Sequence, residues 1–170
     1  MEKRRREMIP KIKKILYATD LSKNSAYAFY YALGVAEKND ATIVLLHVVE
    51  PLPQFGMGFK DLREMVELER KEEAIQEVEK RRKAITKFVA PALKPVSNII
   101  IRIGYPMEEI LKVADEERCD VIILGSHGKG VLTQTLLGSV SHAVLHRTRK
   151  PVFIIPLPPE ETKIDWIEVP

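Results

Sequence analysis

Three glycines and a serine in the last third of the chain have the spacing of a loop that could bind an anion. Gly125 and Gly128 directly follow the apolar run 121–124, and Gly138-Ser139 comes ten residues after Gly128. Glycine has no Cβ, so the backbone can approach a ligand closely, and the first turn of a helix leaves N–H groups without an intrahelical acceptor. If a helix starts at Gly138-Ser139, backbone donors flank one loop and could hold a phosphate chain from two sides.

Other glycine-rich motifs fit this spacing poorly. A Walker A loop needs Gly-x4-Gly-Lys followed by Ser or Thr, whereas Gly128-Lys129 is followed by Gly130, and Ile123 stands five residues before Gly128. The dinucleotide fingerprint Gly-x-Gly-x-x-Gly has the reverse spacing. KH domains clamp RNA with a Gly-x-x-Gly loop between two helices, whereas this one follows an apolar run typical of a strand. Each glycine alone could be an ordinary turn residue, but their combination with Gly138-Ser139 favours a phosphate site.

Short apolar runs alternate with segments of helical periodicity, and this order predicts the elements that position the loop. Five strands are predicted, at 14–18, 41–49, 98–103, 121–124 and 151–156. Four helices are predicted between them: one after an N-cap at Ser22, one over 60–89, one starting at Pro106, and one over Ser139–Arg147. This alternation indicates an α/β fold, a parallel sheet with helices on both faces, in which ligands bind beyond the carboxyl ends of the strands.

Composition indicates one globular domain and excludes several classes of protein. The 170 residues are 45% hydrophobic and 30% charged, and the net charge of +3 is too small to require a nucleic-acid partner. The single Cys119 excludes an intramolecular disulfide and suits a reducing compartment, and without a Cys-x-x-Cys motif we expect no redox role. No apolar run approaches the roughly 18 residues of a membrane span, and the basic stretch 3–6 is not followed by a signal-peptide core. We therefore expect a cytoplasmic protein. Residues 3–6 could contact nucleic acid or acidic lipid, but a disordered, solvated N-terminal arm is the favoured interpretation.

Three further groups of residues contain side chains that could take part in catalysis or metal binding. Ser126 and His127 are adjacent, and because neighbouring side chains usually diverge we do not expect a Ser-His relay. His142 and His146 stand four apart on a predicted helix, a spacing that could chelate a metal, but surface histidines are the favoured interpretation. The dense mixed charges of the segment 60–87 predict a solvated helix face.

The spacing Gly-x2-Gly-x9-Gly-Ser/Thr resembles the nucleotide-binding signature of the ATP-binding branch of the universal stress protein family. Gly125, Gly128, Gly138 and Ser139 match it without departure. The opening strand with its Asp20-Leu-Ser, Leu46-His-Val48, Gly104-Tyr-Pro106 and the closing run 150–155 also resemble segments of that family. The resemblance covers residues 11–158 and leaves outside it a basic arm, 1–10, and a tail, 159–170.

This resemblance implies the strand order 3-2-1-4-5 of a Rossmann-like fold, similar to the adenine nucleotide alpha hydrolases, and a nucleotide site. The implied site residues are Ala18, Thr19, Asp20, Val48, Leu124, Gly125, Ser126, His127, Gly128, Gly138, Ser139 and Val140. By this resemblance, the residues of the glycine loop and of the Gly138 helix start bind phosphates, and Asp20 accepts hydrogen bonds from the ribose. The main chain of Val48 contacts adenine, and Ala18 and Leu124 pack against the base. Asp20 could also act only on the dipole of the first helix.

The function implied is that of an ATP-binding regulatory module acting in the stress response as a nucleotide-dependent switch. The ligand is ATP, ADP or AMP, and Mg²⁺ or Mn²⁺ normally accompanies a triphosphate, although no carboxylate cluster for a metal is visible. No base or arginine finger can be named, so we expect weak ATP hydrolysis at most. The alternatives are a slow ATP-hydrolysing switch enzyme and a stress-related dimer that binds no nucleotide. The resemblance also implies a homodimer through Val152–Ile155, and an unidentified protein partner would read the bound state.

Overall fold

Five strands and four helices alternate along the residues that the computed structural model describes, which are 10–51, 60–86, 95–127 and 137–158. In chain order they are β1 Lys14–Thr19, α1 Lys23–Asn39, β2 Thr42–Val49, α2 Lys60–Thr86, β3 Val96–Ile103, α3 Pro106–Glu116, β4 Val121–Gly125, α4 Ser139–Arg147 and β5 Val152–Ile155. Every predicted element is present, and β3 begins two residues before its predicted start. Most of the predicted arm, the predicted tail, residues 87–89 and Gly128 lie outside the described residues.

The strands form one parallel sheet in the order β3-β2-β1-β4-β5, which confirms the predicted order. β1 lies in the middle, and its register pairs Ala18 with Leu46 of β2 and Tyr17 with Ile123 of β4. The chain leaves β1 toward β2 and β3, and later returns to add β4 and β5 on the other side. The direction of winding therefore reverses between β1 and β4, and a crevice is expected beyond the carboxyl ends of these two strands.

The helices cover both faces of the sheet, as predicted, because side chains alternate between the faces along each strand. Tyr17 of β1 is fully buried against Phe29 of α1, with ring centroids 4.9 Å apart, and Val78 of α2 belongs to the same cluster. On the other face, Leu16 packs in a cluster with Ile110 of α3 and with residues of α4. Full burial of each such side chain contributes about 1.5–3 kcal/mol, so both layers hold the carboxyl edge of the sheet rigidly.

Within the part of the chain described, no helix has the length and apolar character that crossing a membrane requires.

Candidate functional site

A cavity of about 720 Å³ opens at the carboxyl ends of β1, β2 and β4, where the strand order predicts a crevice. Its walls bring together ten of the twelve residues predicted from sequence, namely Ala18, Thr19, Asp20, Val48, Leu124, Gly125, His127, Gly138, Ser139 and Val140. Ser126 is buried next to this cavity and is not part of its lining. Gly128 lies outside the described residues.

One end of the cavity is formed by the start of α4. Gly138 is the N-cap in an extended conformation, and its carbonyl accepts the first helical hydrogen bond from the N–H of His142, at 2.9 Å. Ser139 is therefore the first helical residue, as the predicted range 139–147 requires. The N–H groups of Ser139, Val140 and Ser141 precede any intrahelical acceptor, and all three residues line the cavity. This end of the cavity suits an anion.

Ser126 holds the bend after β4 through both of its backbone groups. Its N–H donates to the carbonyl of Ile155 at 2.6 Å, and its carbonyl accepts from the N–H of Gly138 at 2.7 Å. Its Oγ lies 3.0 Å from Nδ1 of His127, so the expectation that these adjacent side chains diverge is wrong: the chain bends at Ser126 and brings them together. The hydroxyl of Ser141 adds a bond to the carbonyl of Gly125 at 2.7 Å. These bonds fix the spacing between the glycine bend and α4.

Asp20 follows β1 and lines the cavity, and its carboxylate is held by the start of α1. Its Oδ1 accepts hydrogen bonds from the N–H of Ser22 at 3.0 Å and from the Ser22 hydroxyl at 2.6 Å. Ser22 is the N-cap of α1, as predicted, and its Oγ accepts from the N–H of Ser25. The carboxylate is thus half-buried and fixed in direction, which is what a site for ribose hydroxyls requires.

Another part of the cavity is an apolar slot. Val48 of β2, Ala18 of β1 and Leu124 of β4 line it from the sheet, and Pro106 and Ile110 close it from α3. A slot that is lined by apolar side chains and lies at the carboxyl ends of the strands suits a flat heterocyclic ring. The sequence patterns do not predict the two α3 residues as part of the site, although the turn Gly104-Tyr-Pro106 that starts this helix belongs to the resemblance.

A charged face of α2 is one part of the site that the sequence patterns do not predict. Arg70, Glu73, Ala74 and Glu77 line the cavity. Arg70 and Glu73 are exposed, as predicted for a solvated face, but the charge pattern does not reveal that this face borders the cavity. The four residues recur at helical spacing on one side of α2. The reason is length: the 27 residues of α2 span about 40 Å, whereas the eight of β2 span about 27 Å, so the helix overhangs the carboxyl edge of the sheet.

The remaining candidates for chemistry lie away from this cavity. His142 and His146 are exposed on α4 with ring centroids 4.4 Å apart, and the described residues contain no group of three or more potential metal ligands. Cys119 is buried, and its burial raises the pKa of the thiol to about 11. The thiol is therefore protonated at neutral pH, a poor state for redox chemistry.

Comparison with known proteins places the chain in a family. A sequence profile described as "Universal stress protein family" matches residues 11–156. Universal stress protein MJ0577 of Methanocaldococcus jannaschii is 33% identical over 153 residues, covering 84% of this chain and 94% of that protein. A universal stress protein of Methanothermobacter thermautotrophicus is 33% identical over 143 residues, covering 82% and 92%.

Solved structures agree with this assignment. The structure of MJ0577 superposes with a TM-score of 0.70 at 33% identity and covers 88% of this chain and 99% of that one. UspA of Lactobacillus plantarum shares the fold, with a TM-score of 0.75 at 21% identity and coverage of 86% and 99%. The chain belongs to the universal stress protein family.

Proposed function

We propose that the cavity binds ATP or a related adenine nucleotide, ADP or AMP, and that the protein acts in the stress response as a nucleotide-dependent switch. The observation that carries this proposal is the meeting, in one cavity, of an apolar slot, the carboxylate of Asp20, and the backbone groups at the end of β4 and the start of α4. A nucleotide has three parts of matching chemistry: an apolar base, a ribose with two hydroxyls, and a phosphate chain.

Each of these surfaces suits one part of the ligand. The apolar slot beside Val48 suits the base, and the fixed carboxylate of Asp20 suits the ribose. The N–H groups of Ser139 and Val140, at the positive end of the α4 dipole, suit phosphates. A solved universal stress protein structure that shares the fold, at 22% identity and a TM-score of 0.52, is a complex with cAMP, which supports an adenine nucleotide as the ligand class.

We infer a switch rather than an efficient enzyme from the kind of donors at the anion end. Backbone N–H groups bind a phosphate chain but cannot take a proton from an attacking water. Within the described residues no group of three or more carboxylates, histidines or cysteines could hold a metal, so Mg²⁺ or Mn²⁺ would enter with the phosphates of the nucleotide. Bound nucleotide would then stabilise one arrangement of the cavity wall, which a partner protein distinguishes from the empty state.

The proposed switch is a homodimer that pairs through β5. This strand is one edge of the sheet, and Phe153 within it is 38% exposed. Exposed apolar edge strands favour pairing with a second chain, and a twofold axis would let the same four residues of each chain pair with each other.

Calorimetric titration with ATP, ADP and AMP tests the proposal directly. We expect saturable binding to the wild type and a loss of about tenfold in ATP affinity for Asp20→Asn, since the amide keeps an oxygen for Ser22 but loses the charge. Asp40→Asn is the matched control: it removes the same charge from the exposed C-cap of α1, whose left-handed backbone Asn adopts readily. Absence of heat with all three nucleotides, together with no nucleotide in protein purified without added ligand, would reject the function.

A further inference from the structure

We propose that His47 is a positioning residue for the carboxylate of Asp20, and that through it the end of β2 controls recognition of ribose. The inference rests on the proposed nucleotide site and adds a residue to it. His47 lines the same cavity and is buried, with 8% of its surface exposed. It stands on β2 directly opposite Thr19, the last residue of β1.

The imidazole of His47 bonds to the backbone of the neighbouring strand β1. Its Nδ1 lies 2.7 Å from the carbonyl oxygen of Thr19. A carbonyl oxygen can only accept, so Nδ1 carries the proton in this bond. The carbonyl of Thr19 belongs to the peptide group that it shares with Asp20. The imidazole therefore fixes the orientation of the peptide from which Asp20 begins.

The turn after Thr19 contains a strained residue and therefore needs hydrogen bonds that stabilise it. Leu21 has a φ of 62°, in the left-handed region that is unfavourable for a branched apolar residue. Its N–H donates to Oγ1 of Thr19 at 3.0 Å, and that hydroxyl lies 2.7 Å from Oγ of Ser25. The hydroxyl of Ser25 donates its only proton to the carbonyl of Ser22 at 2.9 Å, so Thr19 must donate to Ser25.

These bonds form one directed chain from Leu21 through Thr19 and Ser25 to Ser22, and bonds of this kind strengthen one another. Ser22 in turn donates its N–H and its hydroxyl to Oδ1 of Asp20. The side chain of Thr19 is thus used within the turn, while its carbonyl is held by His47. Removing the imidazole leaves this carbonyl without its side-chain donor and releases the peptide that displays the carboxylate.

The test compares two ligands that differ only in the ribose hydroxyls, ATP and 2′,3′-dideoxy-ATP, by calorimetry on the full chain. If Asp20 accepts from these hydroxyls, wild type should prefer ATP by about thirtyfold, the value of a charge-assisted hydrogen bond. In His47→Leu we expect the preference to fall below about threefold, with the affinity for the dideoxy ligand nearly unchanged. His47→Asn should restore the preference, because its amide nitrogen takes the place of Nδ1 and donates to the same carbonyl.

The control is His146→Leu, the same substitution at an exposed histidine of α4 outside the cavity, and it should leave both affinities unchanged. Should His47→Leu not fold, Thr19→Val removes the hydroxyl that receives the N–H of Leu21, and we expect it to lower the ATP preference as well.

Three outcomes would overturn the proposal. If the thirtyfold preference survives in His47→Leu, or in Thr19→Val where that variant is needed, recognition of ribose by Asp20 does not depend on this chain of bonds. If His47→Leu lowers the affinity for both ligands equally, His47 has only a general structural role. Wild type that binds ATP without preferring it over the dideoxy ligand removes the ribose role of Asp20, whereas wild type that binds neither ligand rejects the proposed function itself.

Discussion

A negative charge introduced at the start of α4 should stabilise the folded protein but weaken the binding of phosphate. Ser139 is the first helical residue, it is exposed, and it lines the anion end of the cavity. No acidic residue stands in the first turn of this helix. Ser139→Asp therefore places a carboxylate at the positive end of the dipole, where it should stabilise the folded protein by about 0.3–1 kcal/mol.

The same carboxylate should repel a nucleotide. A phosphate bound to the N–H groups of this turn lies about 5 Å from the new charge, where the repulsion per unit charge is about 3 kcal/mol at an effective dielectric of 20 and about 0.8 kcal/mol in bulk water. Because Ser139 is exposed, the value should lie toward the aqueous limit, at about 1.5 kcal/mol. The ATP affinity should thus fall about tenfold.

Calorimetry at low and at high salt, combined with thermal unfolding, measures both effects. Ser139→Asn is the matched control because it has the shape of Asp without the charge. We expect Ser139→Asp to melt no lower than the control yet to bind ATP more weakly, and we expect the difference in affinity to shrink at about 0.5 M salt, where charges are screened. If Ser139→Asp and Ser139→Asn bind ATP equally well at low salt, phosphate does not bind at the start of α4.

Three other measurements test further parts of the interpretation. Phe153→Lys should convert a dimer to a monomer, as measured by sedimentation at micromolar concentration. Leu62→Lys, at an exposed leucine of α2, should leave the dimer intact. A wild type that is monomeric at micromolar concentration would contradict pairing through β5. Because the pKa of Cys119 is raised from 9.0 to about 11, the buried neutral thiol stabilises the fold below pH 9. The free energy of unfolding of wild type should therefore fall relative to Cys119→Ala as the pH rises from 9 to 11, and parallel curves would refute this. Phosphate release from ATP should stay below about 1 per second, the lower end of ordinary enzyme turnover, and a faster rate would favour the hydrolysing switch.

The fold and the backbone part of the site were predictable because both depend on local patterns. Apolar runs separated by helical segments dictate a parallel sheet, and parallel strands bring their carboxyl ends to one edge. Asp20 follows β1 and Gly125 ends β4, so the adjacency of these strands is enough to bring the two residues to one cavity. The adjacency itself came from a family resemblance, because alternation alone permits more than one strand order.

The parts that were missed depend on tertiary placement. The contact between Ser126 and His127 arises from the bend that joins β4 to the α4 region, and residue types alone do not reveal the direction of that bend. The face of α2 carrying Arg70 and Glu73 has the charge pattern of any solvated helix, and only its overhang beyond β2 turns that face toward the cavity.

Two of the surfaces around the cavity, the anion end and the face of α2, differ in how freely their residues can change. At the anion end, the bond between the N–H of Gly138 and the carbonyl of Ser126 joins two backbone groups, so it does not depend on side-chain identity. The α2 wall consists of charged side chains: Glu73 is exposed, and its replacement does not disturb the core, whereas Ala74 beside it is buried and packs the helix down. A substitution at Arg70 or Glu73 can thus alter the charge met by a ligand while the sheet, the glycine bend and α4 stay in place. We therefore expect substitutions on this wall to change the preference for ligands of different charge, in addition to the ribose preference that depends on Asp20 and His47, and to leave the free energy of unfolding nearly unchanged.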